Sequence, residues 1–265
     1  MILKWPGGKK WLYKKHRSLF PHSYNTYIEP FFGGGSIFFS LMPNKAFLAD
    51  TNPRLVNLFN MLRDDYENLF YDTLKLIETH SAKQYYEIRD KFNDPIQESP
   101  VQFLYLNRTC FNGVYRENKK GEFNVPIGKR NSSYFPFELD DFLQCSRTLK
   151  NSTIQCSDFR ETIRRAKKGD FIYVDPPYIK YEEDYDAFRK YNKQVFSIND
   201  LEDLSEELHK IKNKCKILIS NFDIALVKEL FADWEYKIVE QRTYISGKGK
   251  GRKSVKEALI YNYNY

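Results

Sequence analysis

The sequence is poor in the features that mark secreted, membrane-spanning and metal-binding proteins. Its four cysteines are scattered without a C-x-x-C pair, and none of its four histidines stands next to a cysteine. This pattern favours reduced cytosolic thiols and predicts no metal site. No apolar run approaches the roughly 20 residues that span a bilayer. The N-terminus also lacks the apolar segment and cleavage site of a signal peptide, so we expect no secretion and no membrane segment.

What the chain does contain fits a globular protein with a polyanionic partner. Its 265 residues, 42% hydrophobic and 29% charged, suit one α/β domain, or one core with a small insertion. The net charge of +7 is concentrated at 108–133, with six basic and two acidic residues, and at 242–256, with six basic residues and no acidic one. This distribution favours nucleic acid over the alternative of two merely solvated basic loops.

The most informative local feature is a conformationally restricted segment that directly follows a predicted buried strand. The apolar run Phe171–Val174 predicts a parallel strand. The tetrapeptide Asp175-Pro176-Pro177-Tyr178 follows, and its two prolines end regular pairing because neither has an N–H. Ligands bind at the carboxyl ends of strands in open α/β sheets. A carboxylate and a ring held there indicate a site, although Asp-Pro-Pro is also an ordinary strand exit.

A second site is predicted near the N-terminus. The turn at 4–9 is followed by a short strand, the glycines of 33–35 and an apolar helix, which is the start of a nucleotide-binding βαβ unit. No glycine precedes this turn at the spacing of a phosphate loop, and Lys10 stands where such a loop needs Ser or Thr, which argues against a nucleoside triphosphate site. A second strand, 46–50, ends in Asp50, whose carboxylate can accept hydrogen bonds from ribose hydroxyls.

The remaining elements follow from periodicity and capping signals. Helices are predicted at 10–20, 54–63, 137–148, 159–167 and 198–212, polar helical structure at 64–100, strands at 152–159, 216–221, 235–245 and 256–264, a polar loop at 181–193 and a basic loop at 246–253. Asp158 has two open interpretations. It caps the helix that follows it, or it accepts a bond from an adenine amino group while Phe159 covers the ring.

The stretch 107–129 is the most unusual in composition. Aromatic segments flank Asn-Lys-Lys-Gly at 118–121, which predicts a β-hairpin. Aromatic rings interleaved with Arg, Asn and Lys are suited to stacking on bases, reading base edges and contacting phosphates. We therefore interpret this stretch as a nucleic-acid reader.

Together these motifs resemble the Dam-type DNA adenine-N6 methyltransferases. The resemblance spans essentially the whole chain and rests on ordered motifs: Lys4-Trp5-Pro6-Gly7-Gly8-Lys9, Glu29 to Ser36, Ala49-Asp50-Thr51-Asn52, Asn107 to Gly128, Asp175-Pro176-Pro177-Tyr178 and Ser220-Asn221-Phe222-Asp223. Two positions depart from the family pattern, Pro6 for a frequent Ala and Phe222 for a frequent His.

The resemblance implies a Rossmann-like α/β methyltransferase sheet with an inserted helical and β-hairpin region that recognises DNA. The catalytic domain would be 1–63 with 150–265, and the insertion 64–149 with its hairpin at about 108–130. The implied methyl donor is S-adenosylmethionine. The family's donor-binding positions correspond to Trp5, Lys9, Phe32, Gly33, Gly34, Gly35, Ser36, Asp50, Asp158, Phe159 and Asp175.

The resemblance also implies how adenine is held and how its sequence context is read. Asp175, Pro176, Pro177 and Tyr178 would bind the amino group and stack on a flipped base. Duplex DNA, with GATC as target, would be contacted by Lys4, Arg108, Phe111, Asn112, Val114, Arg116, Asn124, Pro126 and Lys129. The expected protein is a cytoplasmic enzyme of a bacterial or phage-infected cell, a monomer or a dimer on palindromic sites.

Three other functions stay open on sequence. A cytosine-N4 methyltransferase would use the same chemistry, although Ser commonly replaces Asp before Pro-Pro-Tyr there. An RNA adenine methyltransferase would lack the duplex-reading hairpin. A DNA-binding regulator that had lost catalysis would not need Asp175 and Tyr178, which are both present.

Overall fold

The computed structural model of the chain describes residues 2–129, 135–178, 196–222, 224–243 and 253–264. The predicted polar loop at 181–193 and almost all of the basic loop at 246–253 lie outside them. The chain forms two compact units. The first unit contains residues 1–17 and 32–156, and the second unit contains residues 18–31 and 157–265.

The elements alternate along much of the chain as in α/β proteins. The strands are β1 Tyr27–Glu29, β2 Ala46–Asp50, β3 Ser152–Cys156, β4 Phe171–Val174, β5 Lys216–Phe222, β6 Glu235–Thr243 and β7 Lys253–Tyr261. The described helices are α1 Lys10–Lys15, α2 Phe38–Leu41, α3 Pro53–Asp64, α4 Tyr66–Glu78, α5 Ala82–Phe92, α6 Pro100–Thr109, α7 Leu139–Leu149, α8 Phe159–Arg164, α9 Ile198–Ile211 and α10 Ala225–Leu230. Short 3-10 turns cover Arg17–Leu19 and Phe111–Gly113. Helix α1 is shorter than the predicted 10–20.

In the first unit, β2 and β3 pair in parallel, from Ala46 opposite Ser152 to Asp50 opposite Cys156. Helix α3 begins as predicted, because the Asn52 side chain accepts the N–H groups of the first turn and Pro53 fits a position that needs no donor. The apolar face of α3 is buried, and α3, α4, α6 and α7 pack against one another. This helical cluster carries the segment predicted to read DNA.

The predicted hairpin is present only as isolated pairs. Helix α6 continues to Thr109, so residues 107–109 are helical and buried instead of part of the hairpin. After the helix, single antiparallel bridges join Cys110 to Ile127 and Glu117 to Phe123. The turn between them closes where the Gly121 N–H donates to the Asn118 carbonyl over 3.0 Å.

In the second unit the strand order is β1-β4-β5-β7-β6. Strands β1, β4 and β5 are parallel, whereas β7 pairs antiparallel with both β5 and β6. Every residue of β4 is buried, as the sequence predicted. Helix α9 also begins where expected, with a capping box between Ser197 and Asp200. The sheet therefore presents the carboxyl end of β4, where the tetrapeptide follows, between two parallel neighbours.

The described strands and helices make up a mixed α/β fold, which confirms the predicted fold class. The functional division into 1–63 with 150–265 and an insertion 64–149 stays a prediction. None of the described helices combines the length and the apolar character needed to cross a membrane. Within the described ranges, no cluster of His, Cys, Asp and Glu side chains is arranged to hold a metal ion.

Candidate methyl-donor and target sites

The glycine turn in the first unit has no room for side chains at two positions. Gly33 and Gly35 have φ angles of +48° and +69°. A Cβ on Gly33 would lie 3.0 Å from the Trp5 Nε1, and one on Gly35 would lie 2.8 Å from the Phe32 ring. Glycine is therefore required at both positions, for its conformational freedom and for space.

The N-terminal segment is held against this turn. The Lys9 N–H donates to the Ser36 Oγ over 2.8 Å, in a buried contact. Trp5 covers Gly33 and stacks on Tyr115, with ring centroids 5.5 Å apart. The structure thus brings together the predicted donor-binding residues of the first unit around one turn.

Asp50, at the end of β2, lies beside the same glycine turn, and together they form a cradle. Its Oδ2 accepts the Gly33 N–H and its Oδ1 accepts the Asn52 N–H, each over 2.9 Å. Burial raises the pKa of Asp50, while the backbone N–H groups of Asn52, Gly33 and Thr51 act in the opposite direction. Each carboxylate oxygen can accept more than one bond. The carboxylate is therefore oriented by the backbone and chemically able to accept hydroxyl groups of a ligand.

In the second unit, Asp158 caps α8, as one of the two interpretations expected. Its Oδ1 accepts the Arg160 N–H over 2.8 Å. The Arg160 guanidinium also pairs with Asp158, Asp200 and Asp203. Sequence analysis missed Arg160, although Asp at 200 and 203 on one helix face was a readable signal. These ion pairs tie the start of α8 to α9.

Phe159 is buried in an aromatic cluster of the second unit. Its ring stacks on Phe31 with centroids 5.3 Å apart, and the Arg160 guanidinium lies 4.2 Å from its centroid on a ring face. Phe196 contacts both phenyl rings, at 5.7 and 5.8 Å. The ring is thus held in place by aromatic and cation–π contacts.

The tetrapeptide lies at the carboxyl end of β4, with its acid half-buried. The Ser220 hydroxyl donates to the Asp175 Oδ1 over 2.8 Å. The Tyr178 hydroxyl donates to the Glu257 Oε2 over 3.3 Å. Pro176 is buried and Pro177 is exposed. Burial, followed by the charge of Asp175, raises the pKa of Tyr178 well above its usual value, so the ring is a neutral phenol.

Lys4, one of the residues predicted to read DNA, is held by a side chain that the sequence analysis did not single out. Asn107, in the last turn of α6, is 2% exposed. Its Oδ1 accepts the Lys4 N–H over 2.9 Å, and its Nδ2 donates to the carbonyls of Lys4 and Gly113 over 2.8 and 3.3 Å. One amide therefore fixes Lys4 relative to the segment that follows α6.

Most predicted DNA contacts in this segment are exposed. Phe111 is 47% exposed and Val114 is 37% exposed. Asn112, Arg116, Pro126 and Lys129 are also exposed, and Asn124 is half-buried. The Arg116 Nε donates to the Asn124 Oδ1 over 2.8 Å. These side chains are accessible to a partner.

Arg108 differs from the other predicted contacts because it is only 7% exposed. Its guanidinium lies over the Phe137 ring at 5.0 Å, and within the described residues its Nε has no hydrogen-bond partner. Burial lowers the pKa of Arg108. Burial and the adjacent Arg108 charge also lower the pKa of Lys4. These two cations form a partly desolvated positive site.

Comparison with known proteins identifies the class to which this site belongs. The profile of the D12 class of N6 adenine-specific DNA methyltransferases matches residues 5–245. The chain belongs to this family. Among the functions that the sequence left open, family membership supports adenine instead of cytosine as the base, and an enzyme instead of an inactive regulator.

Individual relatives match over nearly their full length. The chain is 34% identical to the type II methyltransferase M1.LlaDCHI of Lactococcus lactis subsp. cremoris, covering 98% of this chain and 94% of that one. It is 36% identical to a DNA adenine methylase of Serratia marcescens, with coverage of 97% and 96%. A DNA adenine methylase of Haemophilus influenzae is 35% identical, with coverage of 97% and 92%.

Proposed function

We propose that this enzyme transfers a methyl group from S-adenosylmethionine to N6 of an adenine that has been flipped out of duplex DNA, within the sequence GATC. The observation that carries the proposal is the oriented carboxylate of Asp175 at the carboxyl end of β4. The family to which the chain belongs supports adenine as the base. The target sequence GATC, the flipping of the base and the roles of the individual residues are parts of this proposal.

The donor site of the first unit suits a ligand with a hydroxylated ribose. Gly33 and Gly35 expose backbone where a side chain would block approach, and Asp50 offers carboxylate oxygens already oriented by N–H groups. Trp5, Lys9, Phe32, Gly34 and Ser36 would line the same cradle. Asp158 and Phe159 would hold the adenine of the donor. When bound, S-adenosylmethionine supplies an electrophilic methyl group on a sulfonium centre.

The clamp on the target base follows from the chemistry of an exocyclic amine. The N6 lone pair of adenine is delocalised into the ring, so the nitrogen is a weak nucleophile. The Asp175 carboxylate and the Pro176 carbonyl would each accept one N6–H bond and draw the nitrogen towards a tetrahedral geometry. Orientation and fixed dipoles then supply most of the catalysis. Tyr178, a neutral ring, would stack on the flipped base.

Reading of the target sequence is assigned to side chains of the first unit that are exposed or, in the case of Lys4, half-buried. Lys4 and Arg116 would bind guanine O6 and N7, while Val114 and Pro126 would contact a thymine methyl group. Phe111 would insert into the base stack beside the flipped adenine. Asn112, Asn124 and Lys129 would also contact the duplex, whereas Arg108 is buried and would add positive charge beside Lys4. The enzyme would work in the cytoplasm, as a monomer or as a dimer on palindromic sites.

Expression in a host without adenine methylation tests the proposal. Sequencing-based mapping of methylated bases should find N6-methyladenine in GATC sites, and Asp175→Ala should lose methyl transfer while keeping the fold and duplex binding. Asp233→Ala, an exposed acid of the second unit, is the matched control and should keep activity. Methylated adenine in another sequence would overturn GATC alone. Activity of Asp175→Ala within a few fold of wild type would remove Asp175 from the clamp.

A further inference from the structure

Behind Asp175 lies a chain of buried hydroxyl groups that the proposed clamp does not itself use. The Tyr173 hydroxyl is 3.0 Å from the Ser220 Oγ, and the Ser220 hydroxyl donates to the Asp175 Oδ1 over 2.8 Å. Tyr173 is 1% exposed and Ser220 is 0% exposed. Strands β4 and β5 are paired in parallel, with Tyr173 opposite Leu218 and Val174 opposite Ile219. The parallel pairing therefore positions Ser220 beside the first residue after β4.

Which group donates in each of these hydrogen bonds follows from the number of hydroxyl protons available. An ionised carboxylate only accepts hydrogen bonds, so the single hydroxyl proton of Ser220 points to Asp175. The Ser220 oxygen must then accept from Tyr173. Burial, followed by the charge of Asp175, raises the pKa of Tyr173 well above its usual value, so this phenol keeps its proton. The bonds thus run one way, from Tyr173 through Ser220 to Asp175.

Other titratable groups face the same place from the neighbouring elements. Glu257, on β7, accepts the Tyr178 hydroxyl and acts electrostatically on Tyr173 as well. Glu29, on β1, accepts the Tyr27 hydroxyl over 2.7 Å. The charges of Glu29 and Glu257 also raise the pKa of Tyr173, because like charges oppose ionisation. The Ser220 hydroxyl donates to Asp175, and a hydrogen-bond donor favours the ionised form of a carboxylate.

We propose that Ser220 and Tyr173 are positioning residues, which form a one-way hydrogen-bond relay that orients the Asp175 carboxylate and keeps it in the acceptor form that the target amino group requires. The inference rests on the proposed function of Asp175 as the clamp. It adds a physical reason for Ser220, a residue that does not itself contact the substrate. Preorganisation of this kind avoids reorientation of the carboxylate during the reaction.

The first test measures the carboxylate itself and needs no methyl transfer. Protein labelled with 13C at the aspartate carboxyl carbons is titrated by NMR, and Asp175→Asn assigns the resonance. In Ser220→Ala the titration midpoint of Asp175 should rise by about one pH unit, a tenfold change in its ionisation equilibrium. A midpoint within about 0.3 units of wild type would overturn the relay.

Two further variants keep the test decisive. Ser220→Cys is close in size but has a weak donor, so it should shift the midpoint in the same direction even if Ser220→Ala does not fold. Tyr173→Phe should produce a smaller upward shift, since Ser220 keeps its own bond. A downward shift in Tyr173→Phe would mean that the bonds do not run from Tyr173 to Asp175.

The second test separates positioning from a purely structural role. Ser220→Ala should lower kcat about tenfold and leave the KM values for donor and duplex within about twofold. Ser205→Ala is the matched control, because Ser205 is a buried serine of the same unit that donates to the Leu230 carbonyl over 3.0 Å. A loss in Ser220→Ala that is confined to KM, or equalled by Ser205→Ala, would overturn the assignment. Wild-type protein that methylates no adenine would instead refute the proposed function and leave the NMR result standing.

Discussion

The segment 107–129 and the tetrapeptide 175–178 hold their functional side chains in opposite ways. In 107–129 most side chains that would meet DNA are exposed, Arg108 and Asn124 excepted, and what is fixed is the backbone that carries them, through the buried amide of Asn107. In the tetrapeptide the functional group itself is fixed, because the Ser220 hydroxyl bonds directly to the Asp175 carboxylate.

This difference follows from the two tasks. A side chain that reads a base edge in a groove must extend away from the protein, so its own polar groups stay available for the base. A carboxylate that binds one amino group must not rotate, so hydrogen bonds from the protein hold the functional group itself. The comparison predicts that the two regions fail in different ways when their supports are removed.

The largest effect is expected from Asn107→Ala. The substitution leaves the Lys4 N–H, the Lys4 carbonyl and the Gly113 carbonyl without their partner, which should lower the free energy of unfolding by about 3 kcal/mol. Discrimination at the first guanine of the target should fall as well, because Lys4 loses its fixed position. Denaturant unfolding and methylation rates on duplexes with a substituted first base measure the two effects.

Asn44→Ala is the matched control, since Asn44 is exposed in the same unit. It should change neither the unfolding midpoint nor the preference for the first base. If Asn107→Ala unfolds like the wild type, the backbone of 107–129 is held by other contacts, and the contrast between the two regions loses its basis.

A smaller and purely functional effect is expected from Arg116→Ala. Arg116 is exposed, and among the contacts described its side chain bonds to the Asn124 Oδ1 alone, so truncating this side chain should leave stability unchanged. Discrimination against a substituted guanine should fall by about 1–3 kcal/mol. Competition between matched and mismatched duplexes measures it. Lys119→Ala, in the exposed turn of the same segment, should weaken all duplexes equally, and an equal loss in both variants would deny Arg116 a role in reading.

Sequence reasoning reached the parts of this structure that depend on near neighbours. The burial of Phe171–Val174 was predicted, and α3 and α9 begin within one residue of the predicted 54–63 and 198–212, because each of these features is encoded within a few residues. The family resemblance gave Trp5, Lys9 and Ser36 as donor-binding positions. In the first unit Trp5 covers Gly33 and the Lys9 N–H donates to the Ser36 Oγ, while donor binding by these residues stays a prediction.

The supports were not predictable, because their partners are far apart in the chain. Ser220 lies 45 positions after Asp175 in the chain and bonds to it only because β4 and β5 are neighbours in the sheet. The sequence of a strand does not by itself indicate which strand it pairs with. Asn107 was taken for the start of the nucleic-acid-reading stretch, whereas α6 continues past it and the side chain is buried. The same extension buries Arg108.

The smallest expected effect concerns acids of the second unit that are held by arginine instead of a hydroxyl. Glu207, in α9, is 5% exposed. Arg164, assisted by Lys210, lowers the pKa of Glu207 from 4.5 to about 2. A carboxyl with a lowered folded-state pKa contributes stability that is complete above about pH 4.5 and is lost as the pH falls towards 2. Because Arg164 is 61% exposed, solvent screens the pair and keeps its contribution to stability small.

Glu207→Gln should therefore remove part of the pH dependence of unfolding between about pH 4.5 and 2, leaving a flatter curve than the wild type. Denaturant unfolding at a series of pH values measures this directly. Glu206→Gln, one position earlier and exposed, is the matched control and should reproduce the wild-type slope. If both variants flatten the curve equally, burial beside Arg164 is not what makes Glu207 acid-sensitive. A slope lost only in Glu207→Gln would show that, in the second unit, arginine pairing makes a carboxylate's contribution to stability depend on pH.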